Sequence, residues 1–340
     1  MTTTTTSPVI HGQSTVSTDI VLKNLAPLVE EGILTSDDRA QMMWLVGEMR
    51  ARGMSLSETG KRIGYDASTV SKVLNGGYKG NWANVLDAVR RYRHLTAERA
   101  KMAGADFVET SIWEKVRQTC DLALIHQMPA MIIGPSQIGK TTALLEYRRR
   151  SEYMVRYVRM PAAPGFRSAI EAIADACGVT TRVKTDQLRR RIARALDNRS
   201  LLVIDELHQL AISSGGSTAM KIMEYIRELH DVTGCGLVVC GTRSLEQDLI
   251  QGPLKGWLEQ FVERCIKRLE LPDDVPASDL EKIAEAYGLG PATGKVAETV
   301  RHMRLNRYVK ILSLAGNLAR NRDEALDWPH FVTALELVNR

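Results

Sequence analysis

Apolar positions along the chain change their spacing twice, and these changes predict three structured regions. From residue 19 to 103, apolar residues recur every three or four positions, as in amphipathic helices. From 104 to 271, short apolar runs alternate with helical stretches, which is typical of a parallel sheet with helices on both faces. From 272 to 340 only the helical spacing remains. A Thr/Ser-rich start, 1–18, is expected to be disordered.

The same pattern predicts individual elements. Buried or alternating runs indicate four strands, at 129–133, 154–160, 201–204 and 237–240. Helical spacing indicates helices at 19–32, 36–52, 57–63, 67–74, 85–103, 107–125, 142–150, 167–176, 186–196, 277–287, 295–318 and 328–338. We therefore expect an N-terminal all-α domain, an α/β domain and a separate C-terminal helical subdomain.

A phosphate-binding loop is predicted between the first strand and the helix at 142–150. The pattern G-x-x-x-x-G-K-[ST] is matched by Gly134, Pro135, Ser136, Gln137, Ile138, Gly139, Lys140 and Thr141, and Thr142 follows. Successive backbone N–H groups at a helix N-terminus suit a triphosphate. Lys140 can reach the β- and γ-phosphates, and the Thr141 hydroxyl can ligate Mg²⁺. We predict a site for ATP and Mg²⁺; the alternative is a structural glycine turn.

Polar residues follow two further strands. Asp205 and Glu206 come directly after the third strand, 65 residues beyond Lys140. Ligand sites of open α/β sheets lie at the carboxyl ends of strands, so Asp205 is predicted to hold Mg²⁺ and Glu206 to orient or deprotonate water. An acidic pair here can instead cap a helix, and the nearby His208 can be an ordinary surface histidine. Thr242 can position the attacking water or cap a helix.

Charge points to a nucleic-acid partner for the first region. The net charge is only +5, but residues 44–101 carry eleven Lys and Arg against five Asp and Glu. The two short helices in 57–74, joined by a turn at Gly64, have helix-turn-helix layout. The predicted DNA contacts on and after the second helix are Ser68, Thr69, Ser71, Lys72 and Lys79. The stretch resembles the helix-turn-helix of the lambda-repressor and Cro class; the alternative is a helical bundle without a ligand.

Cysteine usage and hydropathy disfavour secreted and membrane proteins. The five cysteines form no C-x-x-C pair, which favours a reduced compartment without structural zinc and predicts that Cys235 and Cys240 lie in the core. Apolar runs of membrane-spanning length and a signal segment are both missing from the sequence. We expect a cytoplasmic protein without a membrane partner.

Taken in order, these features resemble the AAA+ ATPase superfamily, and more narrowly the family of the phage Mu B transposition protein and its TnsC-like relatives. The resemblance covers 53–340. After the helix-turn-helix it rests on FVET before the α/β domain, then on GPSQIGKTTALLEYRRR, LLVIDELHQL, LVVCGT and FVERCIKRLEL. Two departures remain. Thr242 stands where the Mu protein would carry Asn, and the segment 1–52 has no counterpart ahead of the helix-turn-helix.

The resemblance implies roles for three arginines. Arg264 matches an arginine finger, which reaches the γ-phosphate held by a neighbouring subunit; the alternative is an ordinary surface arginine. Arg304 or Arg307 matches a second sensor in the helical lid, 272–340, and the choice between them stays open.

The resemblance also implies a second DNA surface. In this family DNA runs along the inside of an ATP-bound helical assembly. The basic helix at 187–195 is the candidate for backbone contacts there, through Lys184, Arg189 and Arg190; the alternative is a solvated helix face.

The leading hypothesis is a bacterial or phage-encoded, ATP-dependent, DNA-binding regulator of transposition. Identical subunits would join into a ring or helical filament on double-stranded DNA, recruit or stimulate a DDE-type transposase, and come apart after hydrolysis. A rival hypothesis is a sequence-specific helix-turn-helix repressor with a nucleotide-sensing switch, which would prefer a defined operator. A third is an ATPase of the same family that serves secretion or phage defence.

Overall fold

The computed structural model describes residues 17–102, 107–210, 216–245 and 255–339. The chain divides into two compact units, 1–101 and 102–340. Most of the predicted disordered start lies outside the described residues, although Thr18 already begins the first helix. Among the described helices, none is long and apolar enough to cross a membrane.

The described part of the first unit is all-helical. Apolar residues from all five of its helices form a single core, which includes Leu25, Met42, Ile63, Val70 and Val89. The described residues ahead of the predicted helix-turn-helix, whose role the sequence left open, therefore contribute to the same hydrophobic core. The helices are α1 Thr18–Glu30, α2 Ser36–Ala51, α3 Leu56–Ile63, α4 Ala67–Leu74 and α5 Trp82–Met102.

Local capping explains the bounds of α3 and α4. Ser55 and Glu58 form a reciprocal capping box at the start of α3, and Gly64 ends that helix with φ +79°. The Asp66 side chain accepts a hydrogen bond from the Thr69 amide and so caps α4. A Cβ on Gly60 would lie 2.3 Å from the Tyr65 carbonyl oxygen, so the turn between the helices requires glycine there. The predicted helix bounds are confirmed to within one residue, while the DNA-binding assignment stays a prediction.

A five-stranded parallel sheet forms the centre of the second unit, in the order β2-β3-β4-β1-β5. The strands are β1 Pro129–Ile133, β2 Met154–Arg159, β3 Ser200–Asp205, β4 Gly236–Gly241 and β5 Lys267–Glu270. Every residue of β1, β3 and β4 is buried, which explains why their sequences are continuous apolar runs. Strand β5 was not predicted, because only Leu269 of its four residues is apolar.

Helices cover both faces of this sheet, as predicted. One face packs against α6, α7 and the C-terminal helices, and the other packs against α8 to α11. Cys240 lies in the first layer and Cys235 in the second, and both are buried as predicted. The helices are α6 Ser111–His126, α7 Lys140–Arg150, α8 Phe166–Cys177, α9 Thr185–Arg194, α10 Gly216–Thr233, α11 Lys255–Arg264, α12 Ala277–Ala286, α13 Gly294–Arg301, α14 Leu305–Asn321 and α15 Trp328–Asn339.

The prediction of one continuous helix at 295–318 is wrong. The single helix expected at 295–318 is two helices, α13 and α14, separated at residues 302–304. Arg304 adopts extended backbone angles (φ −66°, ψ 138°), and its side chain donates a 2.8 Å hydrogen bond to the Asp273 carbonyl oxygen. A tertiary contact therefore accompanies the break, and no glycine or proline marks it in the sequence. The helices after the break share the core of the sheet's first face.

Candidate nucleotide site

The loop between β1 and α7 is shaped by its glycines. Gly139 has φ +105°, a conformation that other residues rarely adopt, and a Cβ there would lie 2.9 Å from Leu305 Cδ2. A Cβ on Gly134 would lie 2.8 Å from Leu271 Cβ. The loop also holds Gln137 at φ +64°. Successive backbone N–H groups beside a left-handed residue form the concave anion site expected of a phosphate loop.

Lys140 lies inside this loop with 8% of its surface exposed. Its ammonium group donates hydrogen bonds to the carbonyl oxygens of Gly134 at 2.8 Å and Pro135 at 2.7 Å. Burial lowers the pKa of Lys140, and the nearby Cys240, Asp205 and Glu206 oppose that shift. A cation held by two neutral carbonyls at a helix N-terminus suits a ligand that carries negative charge.

Asp205, the last residue of β3, connects the sheet to the phosphate-binding loop. Its side chain is almost fully buried, and its Oδ2 accepts hydrogen bonds from Thr141 Oγ1 at 2.7 Å and from the Tyr157 hydroxyl at 2.8 Å. Its Oδ1 accepts the Glu206 amide at 2.8 Å. The hydroxyl and carboxylate oxygens of Thr141 and Asp205 are hard ligands that fit Mg²⁺.

The backbone conformation of Glu206 and two neighbouring basic side chains determine the position of its carboxylate. Its φ is +59°, an unusual value for a residue with a side chain. The carboxylate lies 3.6 Å from Arg159 Nη2 and 3.5 Å from His208 Nε2. His208 is thus beside the acidic pair and mostly buried rather than an ordinary surface residue. The Asp205 carboxylate bonds to Thr141 and Tyr157 instead of capping a helix.

Thr242 follows β4 at the same edge of the sheet. Its Oγ1 lies 2.7 Å from Ser244 Oγ, and its carbonyl oxygen accepts the Leu245 amide at 3.0 Å. Thr242 directly precedes the helical turn at 243–245, and it also lines the cavity described next.

A cavity of about 540 Å³ joins these residues. Its polar side is formed by the loop residues Ser136, Gln137, Gly139, Lys140, Thr141 and Thr142, together with Arg159, Glu206 and Thr242. Its apolar side includes Phe107, Val108, Ile283, Tyr287 and Leu305. A polar half around the phosphate loop and an apolar half beside it fit a nucleotide: phosphates on one side and a base on the other.

Comparisons with known proteins agree with this geometry. A family model described as an AAA domain matches residues 125–249. The DNA transposition protein B of the Mu-like prophage FluMu of Haemophilus influenzae is 25% identical over 68% of this chain and 80% of its own length. The ATP-dependent target DNA activator B of Escherichia phage Mu is 23% identical over 74% of this chain and 78% of its own length.

Residues 125–249 thus match an AAA domain, and most of the chain is similar to the B transposition proteins of phage Mu and of a Mu-like prophage. Among solved structures, the RuvB Holliday junction branch migration motor of Thermotoga maritima has a TM-score of 0.44 and 14% identity over 68% of this chain and 70% of that one.

Three of the predicted site residues lie away from the cavity. Arg264 ends α11, is about half exposed and approaches Asp231 at 3.8 Å. Arg304 bonds to the Asp273 carbonyl oxygen, and Arg307 donates to Asn339. Among the C-terminal residues, Leu305, Asn306 and Val309 line the cavity instead.

The predicted DNA contacts fall into two groups, one in each unit. On α4, the Ser68 and Thr69 hydroxyls donate to the Asp66 carboxylate at 2.7 and 2.9 Å, while Lys72 and Lys79 are exposed. Ser71 Oγ lies 3.4 Å from Asn75 Nδ2.

In the second unit, Lys184 and Arg190 are exposed around α9. Arg189 is different, because it is paired with Glu228 and its guanidinium carbon lies 5.1 Å from the centre of the Tyr225 ring. These contacts pair the Arg189 guanidinium within the second unit.

Sequence reasoning missed two members of the site, Tyr157 and Arg159. Both lie on β2, whose register pairs Tyr157 with Val203 and Arg159 with Asp205. The alternation of β2 was visible in the sequence, but the register that brings it beside the carboxylates was not.

Proposed function

We propose that this protein is an ATP-dependent DNA-binding ATPase that assembles on target DNA and recruits or stimulates a DDE-type transposase. The observation that carries the ATPase part is the 2.7 Å contact between Thr141 and Asp205, with Lys140 beside it and Glu206 lining the same cavity. Similarity to a target DNA activator and to a DNA transposition protein supports the transposition part.

ATP binds with its phosphates in the loop from Gly134 to Thr142 and its base against the apolar side of the cavity. Lys140 exchanges its two carbonyl partners for phosphate oxygens, which are stronger acceptors. Thr141 and Asp205 would hold Mg²⁺, and this ion would neutralise negative charge on the phosphates.

Hydrolysis is the attack of water on the γ-phosphorus, which releases ADP. Glu206 orients this water and accepts its proton, and Thr242 hydrogen-bonds to it. Lys140 stabilises the charge that develops on the transferred group, and Arg264 of a neighbouring subunit does the same from the other side. Arg304 or Arg307 senses the nucleotide. Because neither arginine lines the cavity in this structure, this role requires a movement of the lid.

DNA binding uses both units. The exposed Lys72 and Lys79, with Ser68, Thr69 and Ser71, face DNA from the first unit. Lys184 and Arg190 contact the phosphate backbone from the second. Such contacts tolerate any sequence and weaken steeply with salt.

Electron microscopy on random-sequence duplex DNA tests the proposal. Rings or filaments are expected with ATP and not with ADP. Assemblies of equal length in both nucleotides, or binding confined to one operator sequence without assembly, would contradict it.

A further inference from the structure

Tyr157 makes a hydrogen bond to Asp205 that has no part in the proposed mechanism. Its hydroxyl donates to Asp205 Oδ2 at 2.8 Å, the same oxygen that accepts Thr141 Oγ1. Tyr157 comes from β2, whereas Thr141 comes from α7. The buried carboxylate is therefore held from two independent elements.

The sheet explains how Tyr157 reaches this position. Tyr157 pairs in register with Val203, two residues before Asp205 on the neighbouring strand. Both Tyr157 and Val203 pack on the face of the sheet that α6 and α7 cover. Side chains two residues apart share a face of a strand, so Asp205 lies on that face as well and within diagonal reach of the tyrosine.

The Asp205 carboxylate has its orientation fixed on each oxygen. Oδ1 is bound by the Glu206 amide, and Oδ2 is bound by the two hydroxyls. Thr141 belongs to the nucleotide loop, and its contacts are expected to change when nucleotide binds. Tyr157 does not line the cavity, so its bond to the carboxylate can persist throughout.

We propose that Tyr157 is a positioning residue in the Mg²⁺ site. Its hydroxyl orients the Asp205 carboxylate toward Thr141 before the ion binds. This inference rests on the proposed role of Asp205 as a metal ligand. Groups that hydrogen-bond to a ligating carboxylate set its orientation, and their loss typically costs ~10- to 100-fold in metal affinity. Tyr157 is thus expected to affect the binding of Mg²⁺ and to leave the binding of nucleotide without metal unchanged.

Tyr157→Phe in the full chain tests this directly. The affinity for a fluorescent ADP analogue is first measured in EDTA. In a separate titration without EDTA, Mg²⁺ is added at a fixed concentration of the analogue. We expect the Mg²⁺ concentration at half-saturation to rise about tenfold while the affinity in EDTA stays within about twofold of wild type.

Tyr147→Phe is the matched control. Tyr147 also donates a 2.8 Å hydrogen bond to an aspartate, Asp121, and packs in the same core, but it does not touch Asp205. This variant should bind Mg²⁺ like wild type. A wild-type Mg²⁺ midpoint in Tyr157→Phe, or an equal shift in both variants, would overturn the inference.

Asp205→Asn separates the inference from the proposal beneath it. If Tyr157→Phe behaves like wild type while Asp205→Asn loses its Mg²⁺ dependence, only the role of Tyr157 is wrong. If Asp205→Asn keeps a normal Mg²⁺ dependence, Asp205 is not a metal ligand, and the inference about Tyr157 is then wrong as well.

A second measurement applies if Tyr157→Phe does not fold. The wild-type chain labelled with 3-fluorotyrosine carries nine reporters. Adding Mg²⁺ to the ADP-saturated protein is expected to shift a single ¹⁹F resonance. No shift on addition of Mg²⁺ would overturn the inference.

Discussion

The Thr141 hydroxyl donates a 2.7 Å hydrogen bond to Asp205 Oδ2 and so joins the start of α7 to the end of β3. These residues are 64 positions apart in the chain. Parallel pairing of the sheet places the carboxyl ends of β1 and β3 at one edge, and this edge carries the loop and the carboxylates together. The geometry makes the roles of individual side chains testable one at a time.

Lys140→Ala is expected to weaken ATP binding by about 1.5–3 kcal/mol, or roughly 10- to 100-fold in Kd, because a charged donor to the phosphates is lost. DNA binding in the presence of ATP should fall with it, since assembly depends on bound nucleotide. Equilibrium titration with ATP and with duplex DNA measures both. Lys282→Ala, an exposed lysine on α12, is the control. Wild-type DNA affinity in Lys140→Ala would refute the coupling.

Glu206→Gln should separate binding from hydrolysis. The amide keeps the size of the side chain but cannot accept a proton, so ATP affinity should be retained while turnover falls ~10²- to 10⁴-fold. Complexes with DNA should then persist in ATP, which a dissociation assay on labelled duplex would detect. Glu224→Gln, which removes a carboxylate paired with Arg227 on α10, should leave turnover unchanged. A Glu206→Gln protein that leaves DNA as fast as wild type would exclude the catalytic role.

Much of this site could be predicted because its backbone obeys local rules. Strands β1, β3 and β4 are buried apolar runs, and the loop requires glycine at Gly134 and Gly139 for steric reasons that the sequence pattern records. Helix α10 could also have been found, since Ile222, Ile226 and Leu229 have helical spacing.

Other features depend on contacts between distant segments. Strand β5 forms because its backbone pairs with β1, although its sequence is mostly charged. The break before α14 coincides with a bond from Arg304 to Asp273, and the position of Tyr157 depends on the register of β2 with β3. Sequence periodicity carries none of this information.

Gly60→Ala should destabilise the first unit. The new Cβ would meet the backbone of Tyr65 and Asp66, which cannot move aside as a side chain would. The expected cost is about 1–3 kcal/mol, the range for overpacking. Gly47→Ala is a matched control: this glycine lies within α2 with open space around it, so alanine should stabilise the helix by about 0.5–1 kcal/mol. Hydrogen exchange of peptides from 40–75 reports both effects, and equal protection in the two variants would contradict the packing of the α3–α4 turn.

Arg190→Ala and Arg189→Ala should differ, although the residues are adjacent. Arg190 is exposed and available to a phosphate, so its loss should reduce the slope of log affinity against log salt by about 0.9 for duplex DNA. Arg189 is held by Glu228 and Tyr225, so its loss should lower the unfolding midpoint and leave the salt slope unchanged. Identical salt slopes in wild type and Arg190→Ala would show that α9 is not part of the DNA-binding surface.

Arg264→Ala tests whether the ATPase acts as an assembly. Arg264 is exposed at the end of α11 and does not line the cavity of its own chain. A residue that completes the site of a neighbouring subunit is expected to be exposed in this way. Its loss should reduce turnover by up to ~10³- to 10⁵-fold while ATP affinity in dilute protein stays normal. Arg199→Ala is the control, since Arg199 is also exposed and paired with an aspartate.

Mixing Arg264→Ala with Lys140→Ala gives the decisive measurement. In mixed assemblies, some sites combine an intact phosphate loop from one chain with an intact arginine from the other. Because a finger acts across the boundary between subunits, part of the phosphate release should return when the two inactive proteins are combined on DNA. Full activity in Arg264→Ala alone would exclude the assignment. If the variants co-assemble and turnover stays at the level of either one alone, Arg264 does not act in a neighbouring site.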